Sequence, residues 1–72
     1  MVEVFATNIY SLGQAKSLEV TIAKRFPTYI VNFDLEDCDR ILRVENQSLI
    51  ESHTLAEIAS SLSIVIRVLE DS

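Results

Sequence analysis

Val2, Val4 and Ala6 alternate with Glu3, Phe5 and Thr7, a period of two that predicts a first strand with the Val2 set turned to a core. From Leu12 the spacing changes. Leu12, Ala15, Leu18, Ile22 and Phe26 recur at three and four and share one helical stripe, which predicts a helix over residues 12–26. Pro27 ends it, and Lys24 and Arg25 suit the negative end of its dipole. Tyr29, Val31, Phe33 and Leu35 then alternate with Ile30, Asn32 and Asp34. After residues 36–39, Leu42 and Val44 alternate with Ile41, Arg43 and Glu45, so the pair of runs predicts a β-hairpin. Its turn holds Asp37 and Asp39, whose short carboxylates favour an Asx-turn. Leu55, Ile58, Ala59 and Leu62 make the stripe of a second helix. Ser48-x-x-Glu51 and Thr54-x-x-Glu57 both fit its capping box, and the later start is preferred, with the third strand running on through Asn46 towards Leu49. Ile64, Ile66 and Val68 alternate with Val65, Arg67 and Leu69 in a fourth strand, before an acidic tail of Glu70, Asp71 and Ser72.

The order strand, helix, strand, strand, helix, strand is the α+β, ferredoxin-like βαββαβ arrangement, here one domain over residues 1–72. Right-handed crossovers put both helices on one face of a four-stranded antiparallel sheet. The other face stays open. By the alternation it carries Glu3, Phe5, Thr7, Ile30, Asn32, Ile41, Arg43, Val65 and Arg67. Phe5 and Ile41, on the two central strands, are expected as cross-strand neighbours. With Ile30 and Val65 they form an apolar patch that Arg43 and Arg67 anchor, a docking surface for a protein partner or a second copy of the chain.

Composition narrows the use of such a domain. The 72 residues leave room for one core, and 49% hydrophobic content with a single glycine and a single proline excludes disorder. A formal net charge of -5, with six Lys and Arg residues scattered along the chain, argues against nucleic acid as a partner. The apolar stretch Ile64 to Ile66 is broken by Arg67, far short of the ~18 residues of a membrane span. Met1 leads into Val2, Glu3, Val4 and Phe5 without the basic start or apolar run of an export signal. One cysteine, Cys38, allows no internal disulfide, so a cytoplasmic setting is expected.

The topology and spacing resemble the heavy-metal-associated domains of copper chaperones and metal-transport ATPases. In that family the first strand ends in a Cys-x-x-Cys loop, with apolar residues seven and eleven positions after the first cysteine. Here Ser11 and Gln14 stand at the cysteine positions, with Leu18 and Ile22 at the apolar ones. The run Val31-Asn32-Phe33-Asp34-Leu35-Glu36-Asp37 is similar to the family's second strand, which commonly ends in Asp-Leu-Glu. The resemblance implies the same fold over nearly the whole chain. Monovalent copper is held by thiolate or thioether sulfur, which a serine hydroxyl and a glutamine amide cannot replace, so the usual copper site is not expected. Cys38, in the hairpin turn, is expected to lie away from the first loop and to be a bystander. A carrier with nonstandard ligands, such as Cys38 donated by two chains, is the alternative.

Other chemistry is thin. His53 lies off the stripe of the second helix and is expected in solvent, with no nucleophile or orienting carboxylate assigned to it. Asp34, Glu36, Asp37 and Asp39 lack the glycine and the bidentate glutamate of a calcium loop. Gly13 is the single glycine, so no phosphate-cradling loop forms. An RNA-recognition domain needs two or three aromatic residues on the central strands, where the alternation offers Phe5. An acylphosphatase-like enzyme needs an arginine in the loop after the first strand, and Asn8 to Gly13 holds none. A small-ligand-sensing regulatory domain usually works in pairs attached to an enzyme, and ranks lower for want of such an attachment. The expectation is a non-enzymatic interaction or accessory domain without a cofactor.

Overall fold

The computed structural model describes residues 1–69, and the acidic tail, residues 70–72, lies outside them. The elements are β1 (Val2–Thr7), α1 (Leu12–Arg25), β2 (Ile30–Asp34), β3 (Ile41–Glu45), α2 (Ser52–Ser61) and β4 (Ile66–Val68). The strands form one antiparallel sheet in the order β2-β3-β1-β4. This is the ferredoxin-like α+β fold. Leu18 and Ile22 of α1, Leu55 and Ala59 of α2, and Leu42 and Val44 of β3 share one buried core.

The phase of β1 is the reverse of the one expected. Phe5 pairs with Leu42 and Glu3 with Val44, and Leu42 and Val44 are both fully buried beneath the helices. Paired residues share a face, so Phe5 points into the core, where it is 1% exposed, and Val2, Val4 and Ala6 point to the open side. Phe5 therefore is not part of the open face, nor does it oppose Ile41. β1 has apolar residues at both parities, and a period of two cannot choose between them. The largest side chain decides, because burying a phenyl ring removes more apolar surface from water than burying any one of Val2, Val4 or Ala6. Ile9, of the same parity, is also fully buried.

Two helix boundaries differ in smaller ways. α1 follows its predicted range, but Leu12 is 82% exposed, since the first turn overhangs β2 and the burial begins at Ala15. α2 starts at Ser52, ahead of the preferred start and behind the other, and its N-cap Glu51 makes no side-chain capping bond. A tertiary contact fixes it instead. The Glu51 backbone N–H donates to the Tyr29 hydroxyl at 2.9 Å, and the Tyr29 ring stacks on Phe26 with centroids 4.3 Å apart. β3 stops at Glu45, Asn46 adds one bond from its N–H to the Met1 carbonyl, and Ile50 then turns into the core.

Candidate interaction surface and the first loop

The first loop is built as a helix start. The Ser11 Oγ accepts from the Gln14 backbone N–H at 3.2 Å, and the Gln14 Oε1 accepts in return from the Tyr10 backbone N–H at 3.0 Å. This is the reciprocal arrangement of a capping box, shifted by one residue on the return bond. The sequence carries a signal for this helix start, since Ser11-x-x-Gln14 fits the capping-box pattern. The Ser11 side chain thereby satisfies an orphan amide of α1, and the Gln14 side chain satisfies the Tyr10 amide just ahead of the N-cap. Their donor atoms are hard oxygen and amide groups, which do not fit soft, monovalent copper.

Cys38 is not remote from that loop. The Thr7 N–H donates to the Asp39 carbonyl at 3.0 Å, and the Thr7 hydroxyl donates to the Arg40 carbonyl at 2.7 Å. The Asn8 Oδ1 accepts from the Val65 N–H at 3.0 Å. These bonds tie the end of β1, the β2–β3 turn and the start of β4 together at one end of the sheet. The topology requires it, because β1 runs antiparallel to β3, so the C-terminal end of one lies beside the N-terminal end of the other. Cys38 is exposed there. Its sulfur and the carboxylates of Asp37 and Asp39 lie within 4.8 Å of one another. One carboxylate is already in use: the Asp37 Oδ1 accepts from the Asp39 N–H at 2.9 Å, the Asx-turn expected from the sequence. One soft donor beside two hard ones matches no single metal preference well.

The open face is arranged in rows across the strands. Glu45 is flanked by Ile30 and Val2, Arg43 by Asn32 and Val4, while Asp34 pairs with Ile41 and Ala6 with Arg67. Ile30 is 58% and Val65 65% exposed, while Val4 and Ile41 are half-buried. Ile30, Ile41, Arg43 and Arg67 of the expected set are thus on this face, with Val65 at its loop end. Val2, Val4 and Ala6 replace Glu3, Phe5 and Thr7. Val2 and Ile30 stand on either side of Glu45 at one end, Ala6 and Val65 lie at the other, and Val4 and Arg43 stand between these ends. Two carboxylates, Asp34 and Glu45, balance the two guanidinium groups on a chain of net charge -5, so this face is more neutral than the remainder.

His53 is exposed on α2, 3.4 Å from the Glu57 carboxylate one turn on. Lys16 and Glu19 form an ion pair, also at the surface. No helix among the described residues is long and apolar enough to cross a membrane. Compared with models of known protein families, with curated proteins and with solved structures, the chain has no match.

Proposed function

We propose that this chain is a small, non-enzymatic interaction or accessory domain of the heavy-metal-associated kind, cytoplasmic, whose first loop has exchanged metal ligation for helix capping. The carrying observation is the reciprocal bonding of Ser11 and Gln14, which gives the two positions a complete structural role with no ligand needed. The occupied surface is then the open sheet face. There, Ile30, Val2 and Val65 expose apolar area that a partner would remove from water, and Arg43 in the middle of the face supplies a polar anchor. The partner is a protein or a second copy of the chain.

The rival reading is a carrier that draws on Cys38 from two chains, favoured by the exposure of that thiol beside two carboxylates. Substitution on the open face separates the two. Ile30→Glu and Arg43→Glu replace exposed side chains and leave the core intact. They are expected to abolish concentration-dependent sedimentation or the cross-linked complex that the wild type forms, while Cys38→Ser leaves it unchanged. A complex that survives both open-face variants and is lost with Cys38→Ser overturns the reading.

A further inference from the structure

β2 is an edge strand, hydrogen-bonded to β3 on one side. Its five residues pair with β3 in unbroken register, so its outer side presents the N–H and C=O groups of every second residue to any strand that approaches. Proteins commonly blunt such an edge with proline, lysine, a bulge or a covering element. Ile30–Asp34 contains neither Pro nor Lys, and the ladder has no bulge. Beside this edge, α1, the end of β2 and the residues that follow it border an open groove of about 560 Å³. Ala15, Phe33 and Leu35 give it an apolar floor, and Leu12, the most exposed of the large apolar side chains described, stands at its rim. A strand laid on β2 would send alternate side chains into this groove.

Charge selects the kind of strand. Glu19 and Glu36 border the groove against the single ammonium of Lys16, which already lies 3.5 Å from Glu19. A second copy laid on this edge would bring the same carboxylates against these, which disfavours it there. A segment in which apolar residues alternate with lysine or arginine satisfies the groove and its rim together. We infer that the β2 edge and the α1–β2 groove bind a basic, extended segment of another protein by strand addition. This surface is distinct from the open face: Val31 and Phe33 turn towards α1, while Ile30 and Asn32 turn to the open side.

Panning a randomised peptide library against the intact chain, then mapping amide chemical shifts with the best-enriched peptide, tests the inference. Lysine or arginine alternating with Val, Ile or Leu is expected in the enriched set, with shifts along Ile30–Asp34 and the first turns of α1. The double substitution E19K/E36K weakens that peptide by at least about tenfold. Methylation of alternate peptide amides abolishes binding, because strand addition uses them. Leu12→Ser weakens it without moving the urea midpoint. The inference is overturned by shifts centred on Val4, Arg43 and Arg67, by enrichment of acidic or patternless peptides, or by no enrichment. Concentration-dependent shifts in β2 of the peptide-free chain also overturn it, because they assign the edge to a second copy.

Discussion

Replacing Phe5 by alanine tests the phase of β1, and with it the composition of both sheet faces. The ring is 1% exposed and packs in the same core as Leu18, Ile22, Leu42 and Leu55. Removing a buried phenyl group leaves a cavity that a small core closes incompletely, at a cost of about 3–5 kcal/mol. A chain of 72 residues has roughly 4–11 kcal/mol of stability in total. The substitution therefore takes about a quarter of it at the least, and can take all of it. With a urea m-value of about 1 kcal/mol/M for a domain of this size, the midpoint should fall by about 3 M or more. Val4→Ala on the opposite face is the control. It removes two methyl groups that are half-buried, about 0.8 kcal/mol, and should move the midpoint by less than about 1 M. Equilibrium unfolding followed by far-ultraviolet circular dichroism measures both. If Phe5→Ala costs no more than Val4→Ala, the assigned phase is wrong and Phe5 belongs to the open face.

Three further outcomes follow from individual contacts. Ser11→Ala removes the acceptor for the Gln14 N–H and should destabilise the chain by about 1 kcal/mol in the same unfolding assay, against a few tenths for Ser11→Gly. Cys38→Ser changes an exposed turn residue and should shift stability by less than about 0.5 kcal/mol, so a larger loss would reveal a structural role for the thiol. Tyr29→Phe leaves the stacking on Phe26 and deletes the acceptor of the Glu51 N–H. Hydrogen exchange at the start of α2 should accelerate while the centre of α1 keeps its protection, by an amount corresponding to roughly 0.5–1.5 kcal/mol.

The elements were legible because each carries a clear period. Ala15, Leu18 and Ile22 could lie on one buried stripe only in a helix, and Val31 and Phe33 alternate with polar Asn32 and Asp34 in a strand with one wet face. β1 was not legible in phase, since Val2, Val4 and Phe5 give both parities an apolar claim and the choice belongs to the packed core. The start of α2 was missed for a similar reason. Its position is set by a bond between Glu51 and Tyr29, 22 residues apart, which no local capping pattern encodes. Of the expected interaction face, Ile30, Ile41, Arg43 and Arg67 needed only the alternation of a strand, and they lie where expected. The position of Cys38 was a matter of topology: antiparallel pairing of β1 with β3 returns the hairpin turn to the first loop, and the strand order already implied it.

The proposal that the first loop caps α1 and binds no copper is tested most directly by copper itself. The intact chain is titrated with monovalent copper under reducing conditions and examined by native mass spectrometry, beside the double variant S11C/Q14C, which installs two thiols at the capping positions. The wild type is predicted to hold no copper through the ionisation step, and the folded variant one. A wild type that retains one tightly bound copper per chain or per dimer would contradict the account.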